Sequence, residues 1–272
     1  MAVLSFRRAV ALGLLAAVVL AAGALPSLGV FNGKPVSAGD IVARSVAAIR
    51  YQGNDGGVHL CTAVLLGPRL ALTAAHCTKG DRSAIRVIFK PELVDITEDE
   101  ARSVKAVAKA EPSPAGKGMF AYQNPDDVAL LLLDAAAPTG TAFATLADAL
   151  PDGGAVHIAG YGAASDLRKP NAAGQRQIGF DRLLRTATTT LSAKDDALLV
   201  ADQTRGSGMC TGDSGGPVFL LSAGRLSVAG TMIGVAAPRS SNDYCRGTAY
   251  FASVPRLKPW IVAAAKTLGQ PL

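Results

Sequence analysis

The sequence predicts an all-β chain of many short strands. Three observations carry this expectation. The 29 glycines and 15 prolines of the 272 residues are spread along the chain rather than clustered, as frequent turns require. Hydrophobic residues make up 49% of the chain, enough for the core of one or two compact barrels. Apolar runs from Ala63 to Leu72 and from Val128 to Leu133 read as buried strands. No fixed-period repeat and no low-complexity tract is present.

The chain opens on Arg7 and Arg8, followed by an apolar run from Ala9 to Leu25, small residues and Pro26. This is the charged and then apolar pattern of a secretory signal peptide, assigned to residues 1–24. Ala22-Gly23-Ala24 is the expected cleavage site. The run is slightly short for a membrane span, so cleavage is favoured over an uncleaved anchor. Export, extracellular or periplasmic, makes disulfides available to the four cysteines. The formal charge is +6, and without Arg7 and Arg8 it falls to about +4. That charge is too modest and too dispersed for a nucleic-acid partner and reads as a solvated surface, with a preference for acidic partners left open.

The run from Ala63 ends in Leu72-Thr73-Ala74-Ala75-His76-Cys77, which sets His76 in a small-residue turn tied down by a cysteine. Of the other two histidines, His157 alternates with apolar neighbours as an outward strand residue, and His59 has no motif around it. Next comes Asn124-Pro125-Asp126-Asp127 at the mouth of the Val128–Leu133 strand. A half-buried carboxylate there needs a partner, and Asp127 abuts the strand directly. Asp126, one residue further into the turn, reads as a solvated acid.

Residues 210–217 read Cys-Thr-Gly-Asp-Ser-Gly-Gly-Pro. Glycines on both sides leave the Ser214 hydroxyl open to an incoming carbonyl carbon. They also tolerate a tight backbone that turns the N–H groups of Gly212 and Ser214 toward one point. A serine needs a base, and the base an acid, and His76 and Asp127 answer to those roles. The four cysteines allow three pairings. None has the C-x-x-C spacing of a zinc site, so no metal and no other cofactor is expected. Arg256 to Leu268 reads as a short helix, entered after Pro255 and ended near Gly269.

The His76, Asp127 and Ser214 motifs, in that order, resemble those of a trypsin/chymotrypsin-family serine endopeptidase of the secreted bacterial kind. Val30-Phe31-Asn32-Gly33 resembles the mature N-terminus of that family. Ala159-Gly160-Tyr161-Gly162 resembles the Gly-aromatic-Gly turn that opens its second barrel, and Trp260 falls where its last helix carries a tryptophan. The resemblance spans about Val30 to Leu268.

It implies an all-β fold of two packed six-stranded antiparallel β-barrels with a short C-terminal helix. The first barrel would run over about 30–144 and the second over about 150–254, within a peptidase domain of 30–272. It implies the disulfides Cys61–Cys77 and Cys210–Cys245. Ser214 would attack a peptide carbonyl, His76 would act as base and then acid, Asp127 would hold His76, and water would hydrolyse the acyl-enzyme. Gly208 would floor the specificity pocket, which gives no support for cleavage after Lys or Arg. Ala237 and Arg239 would form its wall, with Arg239 facing either solvent or the pocket. A freed Val30 ammonium would pair with Asp213, residues 25–29 forming a short propeptide. The expected partner is a protein or peptide substrate, and the expected state is a monomer without a membrane span after cleavage. The alternative is a secreted homologue that binds and turns over little, for which the altered pocket wall is the sequence argument.

Overall fold

The computed structural model describes residues 30–53, 55–110, 123–150, 154–193 and 195–272. The leader over 1–24, its cleavage site and the propeptide over 25–29 lie outside the described residues. Among the described residues, no helix is long and apolar enough to cross a membrane.

Six strands form the first body: β1 (Val46–Gln52), β2 (Val58–Gly67), β3 (Leu70–Thr73), β4 (Arg86–Ile88), β5 (Ala101–Lys109) and β6 (Ala129–Leu133). They close a barrel in the order β1-β2-β3-β6-β5-β4, with β4 returning to β1 by setting Ile88 opposite Ala48. The continuous apolar run of β6 follows from two separate burials. Leu131 and Leu133 fill the barrel interior with Ile49, Leu65 and Val87. Leu130 points the other way and packs with Tyr161 and Phe219 of the second body. A strand buried on both faces has no polar side to alternate.

The second body contains β7 (Ala155–Gly160), β8 (Arg185–Thr190), β9 (Leu198–Asp202), β10 (Pro217–Ser222), β11 (Arg225–Ala236) and β12 (Thr248–Ser253). Their order is β8-β7-β10-β11-β12-β9. The sheet curls, but β8 and β9 do not pair directly. Instead β8 bends at Leu191, and its continuation Ser192–Ala193 pairs with β9. Val156, Ile158, Val218, Met232 and Phe251 form the core inside this curl. An all-β chain of one closed six-stranded barrel and one curled nine-stranded sheet, with one C-terminal helix, is therefore the architecture.

Two segments sit differently from the sequence reading. Residues 30–35, assigned to the first barrel, belong to the second sheet: Lys34 and Pro35 pair with Thr186 and Arg185 of β8. Burial explains this, because Val30 is fully enclosed among the second core's residues. The helix, α1 (Val254–Thr267), starts two residues before the expected Arg256, with Pro255 in its first turn, where a missing N–H costs nothing. Its buried residues Leu257, Ile261 and Ala265 recur every four positions, and Gly269 ends it with φ of 72°.

The helix also corrects the reading of Asp126. Its carboxylate is only 3% exposed and accepts from Arg256 Nη2 at 2.5 Å. The Arg256 guanidinium also donates to the Pro125 carbonyl at 2.9 Å. Asp126 thus anchors α1 to the turn that leads into β6. The cation lies 130 residues further along the chain, beyond the reach of local sequence reasoning.

Candidate active site

Strand β3 delivers Thr73 and then a 3₁₀ turn over Ala75–Thr78 that carries His76. The disulfide Cys61–Cys77 fastens this turn to β2, with Cα atoms 6.1 Å apart. Asp127, just before β6, reaches the turn because β3 and β6 are paired, with Thr73 opposite Ala129. One Asp127 oxygen accepts from the His76 backbone N–H at 2.8 Å, and the other contacts ring Nδ1 at 2.5 Å. Two-point binding fixes the ring plane and places the proton on Nδ1, leaving Nε2 as the free acceptor. Asp127 is 7% exposed, so its charge acts with little screening by water.

Ser214 arrives from the second body on the loop before β10. His76 and Ser214 line one cleft of about 320 Å³ with Gly212, Cys61, Gly234 and Val235. Among the described residues, no hydrogen bond joins His76 Nε2 to Ser214 Oγ. Such contacts commonly tighten only when substrate is bound.

The first barrel holds the serine loop directly. Thr62 N–H donates to the Ser214 carbonyl at 2.8 Å, and Thr62 Oγ1 donates to the Gly212 carbonyl at 3.1 Å. The same hydroxyl accepts from Tyr161 N–H at 3.2 Å, and Thr73 Oγ1 donates to the Thr62 carbonyl at 2.8 Å. Gly215 makes room for this clamp: at φ of 80°, a Cβ would fall 2.1 Å from Thr73 Oγ1. With the loop's carbonyls held outward, the N–H groups of Gly212 and Ser214 have no partner among the described residues. Two unpaired donors flanking a serine are equipped to stabilise an oxyanion.

Asp213 is completely buried. It accepts from Gly162 N–H at 2.7 Å and Cys210 N–H at 2.8 Å. Burial nonetheless pushes its carboxyl up to about 7, because two amide donors do not replace hydration. The niche exists because of the glycines around Tyr161. A Cβ would lie 2.0 Å from an Asp213 oxygen at Gly160 and 2.3 Å from its Cγ at Gly162. Nearby, Gly208 N–H donates to the Phe31 carbonyl at 3.1 Å, and Ser207 Oγ to the Asn32 carbonyl at 3.1 Å. The segment around Val30 is thereby stitched to the chain that leads into Ser214.

Gly208, Ala237 and Arg239 do not line the cleft beside Ser214. Gly208 is backed by the buried Gln203, whose amide donates to the carbonyls of Met209 and Cys245, both at 2.6 Å. It brackets Phe31 rather than lining the cleft. On β11, Met232, Gly234 and Val235 line that cleft. Arg239 is exposed on a turn beyond the strand end. The carbonyls of Ala237 and Pro238 accept from Arg168, both at 3.0 Å, which pins that turn.

The sequence reading missed further cleft residues. Asp166 is fully buried, takes a two-point ion pair from Arg176, and accepts from Thr211 Oγ1 at 2.5 Å. Tyr244 lies beneath the guanidinium, 5.8 Å from Cζ to ring centroid. His59 also lines the cleft, stacked on Tyr51 and paired with Asp55 at 2.9 Å. None stands in a local motif, so only the folded chain assembles them. The second disulfide, Cys210–Cys245, ties the serine loop to the segment bearing Tyr244.

The Trypsin family model matches residues 30–261 of this chain. Among characterised proteins, brachyurin of Leptuca pugilator is 28% identical over 165 residues, covering 59% of this chain and 71% of that protein.

Proposed function

Because the chain belongs to the trypsin family, we propose that it is a secreted serine endopeptidase, bacterial in type, that hydrolyses peptide bonds through Ser214, His76 and Asp127. The observation that carries this reading is the two-point hold of Asp127 on His76, across one cleft from Ser214. His76 Nε2 takes the Ser214 proton as Oγ attacks the carbonyl carbon. The N–H groups of Gly212 and Ser214 bind the developing oxyanion. His76 then returns the proton to the leaving amine, and water repeats the sequence on the acyl-enzyme.

Substrate reaches Ser214 along β11. Its pairing with β10 ends at Thr231 opposite Pro217, while its pairing with β12 continues to Ala236. One edge of Ile233–Ala236 is therefore open toward the cleft and can pair with an extended peptide. Met232, Gly234 and Val235 on that wall carry no charge and favour small or apolar side chains over Lys or Arg before the scissile bond. The enzyme reading extends to activation by a freed Val30 ammonium, for which the buried Asp213 is the acceptor.

A fluorophosphonate probe tests the nucleophile. The mature protein should be labelled, Ser214→Ala should remove the label, and peptide turnover should fall by several orders of magnitude. Labelling that persists in Ser214→Ala would assign the chemistry to another residue. A folded protein that never labels would leave the binding-protein reading standing.

A further inference from the structure

A second depression, of about 650 Å³, is continuous with the cleft beside Ser214. The two share His59, Leu60, Arg176 and Thr211. Phe180 marks the seam, since a Cβ on Gly212 would stand 3.0 Å from its ring. The walls are apolar and include Leu60, Ile88, Leu93 and Ile96. At the edges Val58 is 72% exposed and Phe180 40% exposed. Apolar side chains this open beside a reactive serine mark a binding surface rather than a core.

The charges lining this groove are of one sign: Arg50, Arg176 and Arg182, with His59. No carboxylate lines it among the described residues. Two of the four are neutralised from behind, His59 by Asp55 and Arg176 by Asp166. Arg50 and Arg182 are exposed and have no acidic partner within ion-pair distance among the described residues. The groove therefore carries an uncompensated positive field over an apolar floor.

The occupant follows from the direction of the chemistry, so this inference rests on the protease reading. The acyl half of a substrate stays bonded to Ser214, beside the open edge of β11. The amine half takes its proton from His76 and departs on the side of the Cys61–Cys77 bridge. Leu60 precedes Cys61 and opens into the groove. The geometry points to a preference for substrates whose residues after the scissile bond carry acidic side chains beside an apolar one. Arg50 and Arg182 read the carboxylates, and the apolar walls hold the uncharged side chain.

Paired peptides test this, identical up to the scissile bond and carrying either Glu-Leu-Glu or Lys-Leu-Lys in the residues that follow. The acidic peptide should have kcat/KM about fivefold or more above its partner at low ionic strength, shrinking toward unity near ~0.5 M salt. In Arg50→Glu and Arg182→Glu the ratio of acidic to basic peptide should collapse or invert. Arg50→Gln and Arg182→Gln, which remove charge without adding any, should give intermediate ratios. Fluorescence anisotropy of both peptides on Ser214→Ala protein gives the same comparison without turnover. Equal or reversed preference in the unaltered protein overturns the inference, as does a ratio indifferent to both arginines. Fluorophosphonate labelling run in parallel separates the outcomes: labelled protein without acidic preference refutes the groove's role alone. Unlabelled protein that still prefers the acidic peptide in anisotropy keeps the groove and refutes the enzyme.

Discussion

At the scale of single residues, the site depends on groups that hold others still. Asp127 spends both oxygens on His76. Asp127→Asn would keep the shape but present an amide that can donate to Nδ1 and favour the wrong tautomer. We expect kcat to fall by about three to four orders of magnitude with little loss of fluorophosphonate-site structure, read by steady-state kinetics and circular dichroism. Thr62 is the less obvious case, because it touches no substrate. Thr62→Val keeps the size but strips the hydroxyl from Gly212 O and Tyr161 N, leaving both buried groups unpaired. Its kcat should drop by about tenfold to a hundredfold while KM moves little, since a loosened oxyanion loop weakens only the transition state. An unchanged kcat would show that the backbone bond from Thr62 N–H holds the loop unaided. His76, Asp127 and Ser214 stood out in the sequence because each borders an apolar run or sits in a glycine-rich turn. Thr62 did not, because a threonine inside a strand looks like any other β-former.

Among the elements, the Gly160-Tyr161-Gly162 turn does more than open a sheet. Tyr161 is fully buried and its hydroxyl donates to the Lys90 carbonyl at 3.0 Å, joining the second sheet to the first body. Its flanking glycines leave space for the Asp213 carboxylate. Gly162→Ala would set a methyl 2.3 Å from Asp213 Cγ, so the aspartate must leave its niche. We expect a loss of stability on the order of 2–4 kcal/mol in denaturant melts, together with loss of labelling at Ser214. A variant with normal stability and labelling would mean that the loop keeps its shape without the Asp213 bonds. The motif was legible as a sequence, but its reason was not, because the partner of each glycine lies 51 or 53 residues away.

For the whole molecule, the enclosed acid links folding to pH and to processing. The native state keeps the Asp213 proton until about pH 7, whereas an unfolded aspartate loses it near ~3.9. Between those values the native state binds more protons, so stability falls as pH rises, then levels above about 7, by on the order of a few kcal/mol. A Val30 ammonium next to Asp213 would draw its carboxyl back down and remove this slope. Urea melts of the Leu25 and Val30 forms across pH 4 to 8 check the idea, with Asp213→Asn as the control that should lack the slope. Parallel slopes in both forms would show that the freed terminus does not reach Asp213.

The sequence by itself determined the class of fold, the order of the reactive residues and the two strands that present His76 and Asp127. These follow from local chemistry: apolar runs choose buried strands, and glycines choose tight turns. Tertiary structure decided what depends on chain segments meeting. It placed Val30 in the second body and paired Asp126 with Arg256 instead of water. It set Met232, Gly234 and Val235 along the cleft beside Ser214 and gathered Arg50, Arg176 and Arg182 around one groove. The length of β11 past Thr231 sets where the wall falls, and packing between two barrels sets which charges become neighbours. Neither quantity is written in any one stretch of residues.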